Sequence, residues 1–285
     1  MKLSTKNTLL AFFLTLPALT LLGLVYFYPL LRVFWLSLYE KPVGGVAKYV
    51  GLKNFISVLR DDVFYYSLFV TAIYTLVGVA CKLLLGLGLA LFLNEEFKGR
   101  GIMRGIVIIP WVIPVFATAL TFYWLYDQYL GPLNIILRHL FGIEVLWLGP
   151  DYALLSMIIV QIWKGAPFFA ICLLAGLQAI PSELYEAAEI DGASTWQRFL
   201  HITLPGLRTV IITVCLLSGI WTFGEFTAPY MLTRGGPGYR TEFIAIKIYK
   251  ETFSRYDFSY GSAISACLFP ILLVPIILCI KYIRR

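Results

Sequence analysis

Residues 186 to 205 read Glu186-Ala187-Ala188-Glu189-Ile190-Asp191-Gly192-Ala193-Ser194-Thr195-Trp196-Gln197-Arg198-Phe199-Leu200-His201-Ile202-Thr203-Leu204-Pro205. This is the longest run that mixes acids, bases and small residues regularly, and it lies between two apolar stretches each long enough to cross a bilayer. A polar island so placed projects into water on one side of the membrane. The spacing predicts two short helices. Ser182 caps the first, whose turns run from Glu183 to Ile190. Asp191-Gly192 stops it, because glycine enters the left-handed region without steric cost. Ser194 and Gln197 have the capping-box spacing that opens the second, and Pro205 ends it. Ala187 and Ala188 leave a smooth patch beside the charges of Glu186, Glu189 and Asp191. The shape is that of a docking elbow; an amphipathic helix-turn-helix without a partner is the alternative.

The rest of the chain supplies the membrane. Hydrophobic residues make up 60% of the 285 and charged residues only 14%, against a soluble norm of ~25% charged. The net charge of +7 does not point to nucleic acid, because the basic residues lie in loops and at helix ends, where membrane insertion biases them. Cys81, Cys172, Cys215, Cys267 and Cys279 all fall inside apolar runs without a Cys-x-x-Cys pair, so they read as buried thiols rather than disulfides or metal ligands. No G-x-x-x-x-G-K-[ST] occurs. The chain therefore holds no P-loop, and any ATP it uses is bound by another subunit.

Apolar runs predict about six spans: residues 9–31, 66–93, 105–125 (interrupted by Pro110 and Pro114), 153–177 (broken at Gly165 and Pro167), 207–228 and 261–280. The first follows Lys2 and Lys6 as a signal peptide would, but it exceeds the usual h-region and no small-x-small site follows it. Residues 32–65 read as an exposed loop with an amphipathic helix near Asn54 to Arg60. Residues 126–152 and 229–260 read as longer loops, the latter with the turn-forming Gly235-Gly236-Pro237-Gly238. The fold class is an all-α membrane protein, with an N-terminal segment 1–65 and a main transmembrane domain 66–285 carrying the elbow at 182–205. No internal repeat and no low-complexity linker is visible.

Orientation rests on short loops. Counted over all loops, Lys and Arg divide about evenly between the two sides. The short loop with Lys98, Arg100 and Arg104 is dense in positive charge, whereas the loop on the other face carries Arg138 alone. The N-terminal lysines and Lys281, Arg284 and Arg285 agree with the dense loop, so both termini and the elbow are expected in the cytoplasm.

Charged residues inside spans cost roughly 2.5–3.5 kcal/mol each on insertion scales and mark function by default. The candidates are Lys82, Lys164 and Glu225. Ser218, Trp221, Thr222 and Glu225 fall at i, i+3, i+4 and i+7, on one helical face. Indole, hydroxyl and carboxylate together suit a sugar, whose C–H face stacks on the ring while its hydroxyls bond the polar groups. Lys164, Phe168 and Cys172 share a face of the fourth span. A structural reading stands beside this one: Lys164 pairs with Glu225 as a buried bridge, Trp221 is packing, and Lys82 snorkels or lines a subunit interface. His139 and His201 are single and far apart, which speaks against a metal or catalytic role.

The elbow also resembles a known family. Glu186-Ala187-Ala188, then Gly192, Ile202 and Leu204-Pro205 at these intervals match the full EAA-loop pattern of permease subunits of ABC importers. Ile109-Pro110-Trp111-Val112, Trp163-Lys164-Gly165, Gly176-Leu177-Gln178-Ala179-Ile180-Pro181 and Leu232-Thr233-Arg234-Gly235-Gly236-Pro237-Gly238 are similar to its carbohydrate-uptake branch. The Gly-Gly-Pro loop resembles the larger of the two maltose-type permease subunits.

The resemblance implies a type I ABC importer (MetI-like) permease fold. It implies a cytoplasmic coupling loop in which Glu186, Ala187, Ala188, Asp191, Gly192, Ile202, Leu204 and Pro205 dock on an ATPase. It places sugar contacts on Lys164, Gly165, Phe168, Ser218, Trp221, Thr222, Glu225 and Thr227. Thr222 and Glu225 stand where that relative has amides, so the cargo is expected to bind differently. The extra N-terminal spans and large periplasmic insertion of that relative are not expected in this chain, which resembles the shorter common form.

The expected assembly is a second homologous permease, two ATP-binding subunits carrying ATP and magnesium, and an extracytoplasmic solute-binding protein. All of these work at a prokaryotic cell membrane among its lipids, with no cofactor, metal or nucleic acid on this chain. Glycerol 3-phosphate or another polyol derivative is the alternative cargo, and Glu225 argues against an anion at Lys164. A proton-coupled secondary transporter, using Glu225 or Lys164, is the alternative class; it leaves the elbow without a purpose.

Overall fold

A bilayer offers the backbone no water, so an apolar chain crosses it with its peptide groups bonded internally, as helix. The computed structural model of this protein describes residues 5–42 and 44–283 and is helical along most of them. Lys2, Arg284 and Arg285, part of the charge argument above, lie outside the described residues. Five helical runs are long and apolar enough to span a membrane: Phe12–Ser37, Asp62–Asn94, Ala153–Gln178, Thr195–Phe223 and Phe258–Ile277. The pair Arg100–Val112 and Val115–Leu125, bent by 88° at its break, is a sixth candidate if it counts as one broken span.

The chain forms two compact units. One comprises residues up to Asp61 together with Ile248–Ile271. Its helices α1 (Thr5–Leu22) and α2 (Tyr28–Ser37) join through a π-helical turn at Gly23–Phe27, so the first span runs past its expected end at Leu31. Phe13, Leu14, Leu24 and Tyr26 along it are all exposed, as on a helix that meets lipid. A short hairpin follows, β1 (Tyr39–Glu40) against β2 (Lys48–Tyr49), with Trp35 stacked on Tyr39 at 4.2 Å. Asn54 donates to the carbonyls of Ser37 and Tyr39, both at 2.9 Å, and so ties α3 (Lys53–Leu59) to the end of α2. This is the amphipathic helix expected near Asn54. In the same unit, the first half of α14 (Phe258–Ile283) sets Phe269 edge-on to Phe34 at 5.5 Å, and the Tyr260 hydroxyl donates to Asp61 at 2.6 Å.

The second unit comprises Asp62–Lys247 with the residues from Leu272 onward. Its longest member is α4 (Asp62–Asn94), 33 residues and so about 50 Å long, packed along α8 (Ala153–Gln178). Between them in sequence come α5 (Arg100–Val112), α6 (Val115–Leu125) and α7 (Pro132–Phe141). After α8 come α9 (Ser182–Ile190), α10 (Thr195–Arg198), α11 (Leu204–Phe223), α12 (Thr227–Thr233) and the start of α13 (Ile244–Tyr249). Two cores hold these helices. Tyr74, Phe122, Met157 and Phe243 belong to one; Leu93, Phe169, Leu173 and Leu207 belong to the other. Along both α4 and α8, Lys82, Gln161 and Lys164 fall between the residues of the two cores.

The structure departs from the sequence reading at several places. Gly165 and Pro167 do not break the fourth span: α8 is continuous, and only the one donor that proline lacks is missing. The two long loops carry helices, α7 within residues 126–152 and, within 229–260, the greater part of α12, α13 and a π-helical turn at Lys250–Ser254. Ser182 is not a cap but the first residue of α9; the extended backbone that precedes a helix belongs to Pro181. Pro205 does not end a helix. Thr195–Phe223 is one helical run, because a π-helical turn at Phe199–Thr203 lets Leu204 N–H reach back to Phe199 and makes room for the proline ring.

Candidate functional site: a polar cavity and an exposed elbow

Burial of polar side chains among apolar helices is costly unless they bond one another, and here they cluster. Lys82 of α4, Gln161 and Lys164 of α8, Ser218 and Thr222 of α11, and Glu225 all line one cavity of about 140 Å³. That is room for about five waters. Lys82, Ser218 and Thr222 are buried. Phe168 forms an aromatic wall between Trp111, stacked at 5.8 Å, and Trp221, at 5.4 Å. Trp221 remains 54% exposed, so its ring is offered rather than packed away.

Each charged group has a describable environment. Lys82 donates to Gln161 Oε1 at 3.2 Å and to Thr222 Oγ1 at 2.9 Å, so it does not snorkel. Its stem lies over Gly165, where any β-carbon would collide with Lys82 Cδ; the glycine is there for that close approach, not for a bend. Lys164 donates to the carbonyls of Pro110, at 3.5 Å, Trp111, at 3.3 Å, and Ile113. The end of α5 leaves such groups without helical donors, and Pro114 has no N–H to return to Pro110. A cation there also meets the negative end of the helix dipole. The buried Lys164–Glu225 bridge is therefore not formed: among the described residues no ion pair joins them. Glu225 Oε1 instead accepts from Ala228 N–H at 3.2 Å, at the start of α12.

Of the predicted contact residues, Lys164, Gly165, Phe168, Ser218, Trp221, Thr222 and Glu225 line this cavity, and Thr227, the first residue of α12, does not. Glu225 reaches it by another route than expected. α11 stops at Phe223, so Glu225 is not on the helical stripe but on the turn beyond it. Tyr74, Lys82, Trp111 and Gln161 also line it. Gln161 carried no sequence signal beyond being one amide within an apolar run.

The elbow is built as its spacing predicts at two points. Gly192 follows α9 with φ +78°. Gln197 N–H donates to Ser194 Oγ at 3.3 Å while Ser194 N–H donates to Gln197 Oε1 at 2.7 Å, a complete capping box. In addition, Arg198 pairs with Glu189 at 3.0 Å and clamps the two helices together. Glu186 and Ala187 are exposed, Ala188 half-buried. A notch of about 300 Å³ opens beside Ala188, Asp191, Gly192 and Ile202. Leu204 and Pro205 lie beyond it, as the first two residues of α11. Ile190 and Trp196 are 87% and 66% exposed. These are apolar residues presented on a polar island; their signal was in the sequence and was masked by the charges around them.

Spanning helices around a polar cavity, with a polar elbow in water, define a membrane transport subunit. Residues 82–284 match the model of the binding-protein-dependent transport system inner membrane component family, and the chain belongs to that family. It is 41% identical over 280 residues to the trehalose/maltose transport system permease protein MalF of Thermococcus litoralis, covering 95% of this chain and 92% of that protein. It is 36% identical over 270 residues to the sulfoquinovosyl glycerol transport system permease protein SmoG of Agrobacterium fabrum, covering 94% and 88%. Its fold is similar to a chain of a bacterial ABC transporter involved in the import of the acidic polysaccharide alginate, with a TM-score of 0.84 at 22% identity, covering 98% and 96%. The family membership accounts for the multi-pass architecture and for the EAA pattern.

Proposed function

We propose that this chain is the permease subunit of an ATP-driven, binding-protein-dependent importer of a sugar or oligosaccharide. The observation that carries the reading is the cavity: an exposed indole and a phenyl ring on one wall, buried hydroxyls and charged groups on the others. A pyranose has an apolar C–H face and a rim of hydroxyls, and that pairing of walls suits it. The cargoes named for the two relatives above, trehalose and maltose in one and sulfoquinovosyl glycerol in the other, support the same class.

The chain is a non-catalytic subunit. It pairs with a second, homologous permease, two ATP-binding subunits that hold ATP and magnesium, and an extracytoplasmic binding protein. Both termini and the elbow lie in the cytoplasm. Closure of the ATPase dimer pulls on the elbow around Glu186, Ala187 and Ala188. Because α10, the π-helical turn and α11 are one continuous run, that pull is delivered along the helix that carries Ser218, Trp221 and Thr222. The cavity then opens to the binding protein, receives cargo, and returns to the inward-facing state on hydrolysis.

The test is uptake of radiolabelled maltose or trehalose into vesicles carrying the whole complex. Depleting ATP at a constant proton gradient should abolish uptake, and collapsing the gradient at constant ATP should leave it. The reverse pattern would instead establish a proton-coupled carrier.

A further inference from the structure

We propose that Lys82 is a cargo-recognition residue, and that it fixes Thr222 as a hydrogen-bond donor so that the two together grip an acceptor oxygen of the cargo. This rests on the sugar-import reading and adds a subsite to it. An ammonium group has three N–H donors. Lys82 gives one to Gln161 Oε1 and one to Thr222 Oγ1, and lines the cavity. Lys164 presents the contrast, since its donors go to the three backbone carbonyls at the end of α5. Among the described residues Lys82 therefore retains one donor without a protein acceptor, and both of its hydrogen-bond partners are neutral. A buried ammonium in that state gains from an oxygen that enters the cavity.

The neighbours fix the polarity. Gln161 Nε2 donates to the Tyr74 carbonyl at 2.6 Å, about two turns along α4 from Lys82, which holds the amide with its oxygen toward the lysine. Gln161 is thus a positioning residue. Thr222 Oγ1, accepting from Lys82, keeps its own proton to give away. The wall made by Lys82 and Thr222 donates, while the Glu225 carboxylate accepts. A sugar's ring oxygen, or a carboxylate where it carries one, only accepts, whereas its hydroxyls both donate and accept, and this cavity reads that asymmetry.

The experiment uses the complete complex with its binding protein in proteoliposomes. It measures the concentration of half-maximal ATP-dependent uptake for maltose, trehalose and maltobionate. Lys82→Met and Thr222→Val should each raise it about tenfold or more, the loss expected when a buried hydrogen-bonding group goes unmet. Thr222→Ser, which keeps the hydroxyl, should recover most of what Thr222→Val loses. A larger loss for maltobionate than for maltose identifies a carboxylate as the bound oxygen, and equal losses identify a neutral one. An unchanged half-maximal concentration in intact Thr222→Val complexes overturns the Lys82–Thr222 subsite while leaving the importer reading in place. A wild-type complex that takes up none of the three probes, or does so without ATP, overturns the sugar reading and this inference with it.

Discussion

A lysine held among apolar helices has three protons to place, and the two lysines of the cavity place them differently. Lys164 satisfies carbonyls released where α5 ends, beside the 88° bend. Its removal leaves these exposed or part-buried acceptors to water, at about 0.5–1.5 kcal/mol of net stability for each hydrogen bond lost. Lys164→Met should therefore lower the thermal unfolding midpoint of the purified complex by several degrees. If the midpoint does not move, Lys164 is free to serve the cargo as its place in an apolar run suggested. Charge in such a run is conspicuous, which is why these residues stood out in the sequence. Their partners did not, because a backbone carbonyl has no letter and Gln161 is a polar residue of ordinary appearance.

At the scale of elements, the elbow was legible in detail and the helix that follows it was not. Gly192 and the Ser194–Gln197 box are local devices whose spacing alone specifies them. Pro205 is local too, but its usual effect is cancelled by the π-helical turn before it, which depends on how five residues share hydrogen bonds rather than on any one of them. The consequence is mechanical. With a helix break at Pro205 the elbow would swing freely; with Thr195–Phe223 continuous its second helix is joined without a break to a cavity wall. Glu186 is exposed on α9, and the clamp between the elbow's two helices is made by Arg198 and Glu189. Glu186→Lys should thus preserve insertion and assembly but abolish the stimulation of ATP hydrolysis by the loaded binding protein. Normal stimulation in that variant would remove α9 from the coupling pathway.

For the whole molecule, composition and length determine a polytopic helical protein, since so little charge over so many apolar runs leaves the chain nowhere to go but lipid. They do not determine which way it faces. Lys and Arg divide about evenly when all loops count, and only the dense short loop at Lys98, Arg100 and Arg104 tips the balance. The orientation is therefore best tested on the elbow itself. Ile190, almost fully exposed in this chain alone, offers a position where a new thiol meets water when the chain is expressed without its ATP-binding subunits. The five native cysteines are half-buried within apolar helices and provide a quiet background. Ile190→Cys should react with a membrane-impermeant maleimide in inside-out vesicles and stay unlabelled in right-side-out ones. Labelling from the outside would put the elbow beyond the reach of any cytoplasmic ATPase. The continuous run from Thr195 to Phe223 would then carry force from the wrong compartment, and the coupling mechanism would have no source of energy.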